Sequence, residues 1–275
     1  MWANHDWVSI FPRPHDVVPQ VLAPGAAGRP QFEAAVEHVI ERYFAHPSYW
    51  RIDGKPYFSI YELMTLMRGL GGLDATRRAL DWFRERVCHA LGCDLHLNAI
   101  VWGIQILPSE TILTDPGALV RALGFDSTTS YVWMHHVPMD SFPAVSYPAY
   151  AERAALDWER QAGAYGIPYY PNVSMGWDSS PRTVQSDPFD LTPGYPYTGV
   201  LVDNTPAAFE QALRRARDFL RQQPASQRIL TINNWNEWTE GSYLEPDTLH
   251  GMAYLEAVQR VFGVAKAPTA AAPTR

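Results

Sequence analysis

The 275-residue chain has only two cysteines, Cys88 and Cys93. Two thiols so close together cannot staple a domain of this length, and no further cysteine or histidine pair nearby completes a zinc site. Both are expected to be buried free thiols in a reducing compartment, which favours the cytoplasm. The opening "MWANHDW" has no basic segment followed by an apolar stretch, so it does not read as a signal peptide. No apolar run is long enough to span a bilayer. Positive charge is also scarce: the formal net charge is −7, and the longest basic cluster is "RRAR". Nucleic acid and acidic membrane surfaces are therefore disfavoured as partners.

Aromatic surface, by contrast, is plentiful, with ten tryptophans and fourteen tyrosines. At 47% hydrophobic and 19% charged, the chain can bury a substantial core. Large rings with a polar handle serve such a core, and they also serve as stacking surfaces for ligands.

Short β-like runs alternate with amphipathic helices. Strands are expected over 54–63, 95–103, 127–133, 168–178 and 228–235, with a further strand ending near Trp2–Asn4. Helices are expected over 31–44, 73–92, 116–124, 150–166, 205–223 and 251–263. The fifth carries a strong start signal, Thr205 as N-cap and Pro206 at the first helical position. Strict alternation of this kind implies parallel strands joined by crossover helices, an α/β fold. No sharp change of composition divides the chain. One domain is expected over 1–264, followed by a disordered Pro/Ala-rich tail over 265–275.

Polar and aromatic clusters recur where the strands finish: "WANHDW", "SIYE", "VWG", "YVWMHH", "SMGWDSS" and "NNWNEWTEG". In β/α barrels the carboxyl ends of all strands meet on one face, so these clusters would converge on one pocket. Polar loops alone explain the Asn and Ser, but not the repeated Trp, His, Asp and Glu.

The last cluster carries the chemistry. Glu237 and Glu240 can face one pocket only if the chain turns between them, because residues three apart on a strand point to opposite faces. Gly241 is consistent with such a turn. Two carboxylates flanked by Trp235 and Trp238 are equipment for glycosidic-bond chemistry, one carboxyl protonated and the other ionised. On spacing alone, a solvated loop with two unrelated glutamates is an equal reading.

"WNEWTEGSYLEPD", followed by "HGMAYLEA", resembles the C-terminal signature of the WbsX-like proteins, relatives of the family 99 glycoside hydrolases (endo-α-mannosidase and endo-α-mannanase). "MWANHDW" resembles the group's W-A-N-E-N-W motif, "YWRIDGKPYFSIYEL" its R-x-x-G-K-P strand, and "SMGWDSSPR" its P-G-W-D-N-T-x-R segment. The four motifs stand in the family's order between residue 2 and about residue 256.

The resemblance implies a (β/α)₈ TIM-barrel type fold with its site on the carboxyl face. In the family two βα units precede W-A-N-x-x-W, so strands three to eight are expected here, with the first two units lacking. It further implies that Glu237 deprotonates the sugar's own 2-hydroxyl. Glu240 protonates the leaving oxygen and later activates water, giving retention through a 1,2-anhydro sugar. Thr239 stands where the family 99 enzymes carry His, and His5 and Asp6 replace the usual Glu-Asn pair.

Substrate contacts are expected from Trp2, Asn4, His5, Asp6, Tyr61, His135, Trp177, Asp178, Trp235, Asn236, Trp238, Tyr243 and Glu245. Of His135 and His136, one is expected at the sugar and the other at the surface, while Arg182 reads as an ordinary ion-pair partner. No metal or cofactor is expected. The substrate would be an oligosaccharide or polysaccharide in bacterial polysaccharide metabolism. Two other readings stay open: a glycosyltransferase of O-antigen or polysaccharide assembly, and a non-catalytic carbohydrate-binding remnant.

Overall fold

The computed structural model describes residues 1–14, 17, 20–108, 110–191 and 194–263. The expected tail over 265–275 lies outside the described residues.

Four parallel strands form the centre of a curled sheet: Lys55–Ile60, His96–Ile100, Ser127–Thr129 and Tyr169–Tyr170. Arg51–Ile52 folds back antiparallel on the first of these. At one side Trp2 bridges Ile60 in parallel; at the other, Thr231–Ile232 pairs in parallel with Asn172–Val173. The architecture is of the (β/α) TIM-barrel type, seen as a curled partial barrel.

Alternation along the strands separates two environments. Leu97, Ala99 and Val101 face the helical layer, while His96 and Asn98 face the concave side. There the polar groups satisfy one another. Asn98 Nδ2 donates to Ser127 Oγ at 2.9 Å, and Ser59 Oγ donates to Asn98 Oδ1 at 2.9 Å. Thr129 and Thr231 hydroxyls meet at 3.1 Å, tying the central sheet to the last strand. On the helical side Phe83 sits among Phe32, Phe44 and Phe58, with ring centroids 5.3–6.2 Å apart. Each such pair contributes about 0.5–1.5 kcal/mol beyond area burial.

The helices start and stop where local chemistry directs. Thr205 caps Pro206–Arg221 by accepting from the Ala208 N–H, and Asp115 caps Pro116–Leu123 through the Ala118 N–H. Leu73–Leu91 ends on Gly92 in the left-handed conformation, φ 68°.

Several expectations need correcting. The strand expected over 127–133 ends at Thr129, and a 3₁₀ turn follows over Trp133–His135. That expected over 168–178 splits at Pro171, which has no N–H to give a ladder, and leaves the sheet after Val173. Only Thr231–Ile232 of 228–235 is paired. The helix Leu63–Leu70 and the parallel pair Ala144–Ser146 with Val200–Val202 were not anticipated. Cys88 is exposed on the helix Leu73–Leu91, and Cys93, just past its end, is half-buried against the edge of the core, so neither is a fully buried thiol. His136 is not a surface residue: its ring is held by Ser130 and Gln161, and burial lowers its pKa to about 3.

Candidate active site

A cavity of about 290 Å³ opens at the carboxyl ends of the strands. Tyr61 enters it just past Ile60, Tyr131 just past Thr129, and Asn234 just past Ile232. Arg182 and Tyr195 come from the long connection after Asn172–Val173, and Glu237 and Glu240 from the last segment.

The turn between the two glutamates is real. Asn236–Glu237 is a short strand, Trp238–Glu240 a 3₁₀ turn, and Ser242–Tyr243 returns antiparallel. A 3₁₀ turn eclipses residues three apart, which sets Glu237 and Glu240 on one side.

Arg182 sits between them, 9% exposed. Its Nη2 donates to Glu237 Oε1 at 2.7 Å and its Nη1 to Glu240 Oε1 at 2.7 Å. Nη1 also donates to the Tyr195 hydroxyl, which donates in turn to Glu240 Oε1 at 3.2 Å. Thr239 completes the clamp: its hydroxyl accepts from Arg182 Nε and Nη2 and donates to Glu237 Oε1 at 3.1 Å. One hydroxyl offers two lone pairs and one proton, and all are used. Every hydrogen bond that the two carboxylates make to described residues falls on Oε1.

The two carboxylates differ in exposure, 7% for the Glu240 side chain and 38% for Glu237. Burial pushes the Glu240 carboxyl above the ordinary range. Arg182 pulls it down, the charge of Glu237 pushes it up, and the net direction is up. Burial lowers the Arg182 pKa, but Glu240, Tyr195 and Glu237 together outweigh it, so the guanidinium stays charged.

A second buried carboxylate stands behind the cavity wall. Glu110 accepts from the Tyr61 hydroxyl at 2.6 Å, from His135 Nε2 at 3.1 Å, and from the Ile106 and Leu107 N–H groups at 2.9 Å. Burial raises its carboxyl, but the bonds from His135, Tyr61 and the backbone bring it below the usual range. It thereby holds both Tyr61 and the segment carrying Leu107, another cavity residue.

Of the thirteen expected contacts, the cavity takes in His5, Asp6 and Tyr61. His5 lies against the Trp7 and Tyr61 rings, 5.2 and 5.4 Å away. Asp6 also accepts from the Gly25 N–H at 2.8 Å. Asn4 clamps the Glu62 backbone through both its amide atoms. Trp2 packs on Phe32 in the helical layer. His135 is buried against Glu110. Trp177 lies in the core with its Nε1 on Thr198. Asp178 caps the turn at Ser180 through Oδ1, and its N–H donates to the Glu240 carbonyl at 2.6 Å. Trp235, Asn236, Trp238, Tyr243 and Glu245 do not line the cavity. Conversely, Tyr131, Tyr195, Asn234 and the clamping role of Arg182 were not anticipated. Arg182 had a signal in "SMGWDSSPR", Asn234 sits in the quoted "NNWNEWTEG" and Tyr131 opens the quoted "YVWMHH"; Tyr195 had none. Asn234 Nδ2 is buried with no hydrogen-bond partner among the described residues, while its Oδ1 accepts from Tyr131.

Gly241 shapes the backbone just after Glu240. Its φ is +58°, and an added Cβ would lie 2.7 Å from Asp178 Cβ and 3.0 Å from its backbone nitrogen. Gly241→Ala is therefore expected to cost about 1–3 kcal/mol through strain at a left-handed position. It should also lower turnover, because Asp178 can no longer hold the Glu240 carbonyl. Urea unfolding and a rate assay on the same preparation check both.

Among the described residues, no group of three or more His, Cys, Asp or Glu is placed to hold a metal ion. Among the described residues, no helix is long and apolar enough to cross a membrane.

The fold defines the class, a TIM-barrel-type protein. Residues 1–258 match the family described as "Glycosyltransferase WbsX", and the chain belongs to that family. It is 27% identical over 269 residues to the protein WxcX of Xanthomonas campestris pv. campestris, covering 94% of this chain and 34% of that protein. The chain thus spans about a third of the length of the curated relatives it matches. Among solved structures, the GH99 endo-α-mannosidase of Bacteroides thetaiotaomicron aligns at TM-score 0.51 and 15% identity, over 81% of this chain and 54% of that one. A glycoside hydrolase-like protein aligns at TM-score 0.53 and 15% identity, over 86% and 61%. Both likenesses concern the fold.

Proposed function

We propose that this chain carries the acid–base pair of an enzyme acting at a glycosidic bond of an oligosaccharide or polysaccharide, with an α-mannoside-like linkage as the first candidate. The observation that carries the reading is one guanidinium holding two carboxylates of unequal burial at the end of the last strand. Glu240 has the environment of an acid, since burial favours its protonated form. Glu237, more open to the cavity, is assigned as base.

In the proposed reaction Glu237 takes the proton of the sugar 2-hydroxyl. That oxygen bonds to the anomeric carbon as the bond to the leaving oxygen breaks, and Glu240 protonates the leaving oxygen. Glu240 then takes a proton from water as the water oxygen attacks the anomeric carbon. The bond between the anomeric carbon and the 2-oxygen breaks as the water adds, and the 2-oxygen recovers the proton from Glu237. Arg182 keeps the two carboxylates in register throughout, and Asn234 Nδ2 is available to a sugar hydroxyl.

A second reading, transfer, is favoured by the description of the matching family. An acceptor hydroxyl would then take the place of water. Incubation with soluble α-mannan and α-linked oligosaccharides separates the two: new reducing ends mean hydrolysis, and extension that depends on an activated sugar donor means transfer. Glu237→Gln is expected to lower whichever activity is found by about 10²–10⁴-fold. Unchanged rates in that variant would remove Glu237 from the mechanism.

A further inference from the structure

The aromatic part of "NNWNEWTEGSYLE" is not used by the cavity, and its geometry is that of a second site. In the hairpin Asn236–Glu237/Ser242–Tyr243, Glu237 is paired with Ser242, and Asn236 with Tyr243. Paired residues share a face, and successive residues alternate. One face therefore turns Glu237 to the cavity, and the reverse face carries Asn236 and Tyr243.

On that reverse face Trp238 stacks on Tyr243 with centroids 3.8 Å apart and planes at 24°. Its Nε1–H donates to Glu245 Oε2 at 3.0 Å. The indole is thus backed on one face and pinned at one edge, yet the residue remains 44% exposed. Trp235 is 51% exposed, and its carbonyl accepts from the N–H groups of Leu244 and Glu245, at 2.8 Å each. The same short loop thus holds the Trp238 indole and the Trp235 backbone. A folded protein gains nothing in core stability from pinning a ring that it leaves in water. A flat indole already ordered, with a carboxylate and an amide at its rim, suits a pyranose. The C–H face of the sugar covers the ring, its hydroxyls meet Glu245 and Asn236, and little entropy is lost on binding because the ring is preorganised.

We infer that Trp238, backed by Tyr243 and rimmed by Glu245 and Asn236, is a sugar-binding platform outside the cavity. It would take a pyranose unit of the chain remote from the reacting bond. The inference rests on the carbohydrate reading above, but not on any particular reaction. Its consequence is a raised local concentration of polymer beside the cavity, because a chain tethered at one site meets the other intramolecularly.

The test reads binding without turnover. The full chain is run by affinity electrophoresis through gels containing soluble α-mannan, dextran or a soluble β-glucan. At least one polymer should retard wild type and Glu240→Gln equally. Trp238→Ala should weaken that retardation by about tenfold or more, a loss of about 1.4 kcal/mol. Glu245→Ala, which keeps the indole but frees its edge, should fall between. If Trp238→Ala proves unfolded by circular dichroism, Tyr243→Ala removes the backing ring and takes its place. Retardation by no polymer, or retardation unchanged in the platform variants, overturns the platform. So does retardation lost in Arg182→Met but kept in Trp238→Ala, which would place all binding in the cavity. Failure to cleave or extend a substrate bears on the proposed reaction, and leaves these gel results as they stand.

Discussion

Glu240→Gln is expected to lower turnover by about 10²–10⁴-fold on substrates with a poor leaving group. The amide keeps the shape of the acid and can still accept from Arg182 Nη1. What it loses is the transferable proton. The loss in kcat/KM, which reports the first step and not the later activation of water by Glu240, should therefore shrink for aryl glycosides, whose phenolate leaves without protonation. A comparable loss on both substrates would indicate that Glu240 acts by position and not as an acid. The pH profile supplies an independent check. The acid must be protonated to work, so activity falls as pH rises through its pKa. Because burial and the charge of Glu237 raise that pKa against the pull of Arg182, the alkaline limb should lie above the ordinary glutamate value. In Glu240→Gln that limb should disappear.

Arg182→Met is expected to be the most destabilising change at the site. Removing one partner of a buried ion pair typically costs about 3–5 kcal/mol, because the other charge is left uncompensated. Here the cost falls mainly on Glu240, whose side chain is 7% exposed. The Glu237 arm is screened by water at 38% exposure and contributes little. With Arg182 gone, the one strong influence lowering the Glu240 pKa is gone, and Glu240 is driven further toward its neutral form. Urea unfolding should show the loss, and the double variant Arg182→Met with Glu240→Gln should recover a large part of it, since neither buried charge then remains. Additive losses in the double variant would show that the pair is not coupled. The same substitution should also cut activity, because the guanidinium holds both carboxylates by Oε1.

The proposed roles divide one short segment between two faces. Glu237 and Glu240 turn inward because a 3₁₀ turn follows the strand. Trp238, between them in sequence, goes to the other side with Tyr243. A reading that puts acids and indoles in one pocket treats the segment as a single surface, whereas the hairpin makes it two.

The parts legible in the sequence are those governed by near neighbours. Thr205 with Pro206, and Gly92, mark helix ends because capping acts over three or four residues. The alternation of strands and helices was legible for the same reason, and with it an α/β fold; the barrel type came from the family resemblance. The pairing of Glu237 with Glu240 was legible once a turn was granted, since Gly241 announces one. Strand length was less so. The strand Ser127–Thr129 stops short, and the Trp133 N–H beyond it donates to Ser174 Oγ, 41 residues after Trp133.

The sequence by itself determined the α/β alternation and the turn beside Glu237 and Glu240, because each depends on periodicity or on residues a few positions apart. Tertiary structure alone decided that Arg182 clamps the pair across 55 and 58 residues, and that Glu110 braces Tyr61 across 49. It alone decided that Asn234, not Asn236, reaches the cavity. Charges and hydrogen bonds act through space, and which groups meet is set by how the strands curl, which no local pattern encodes.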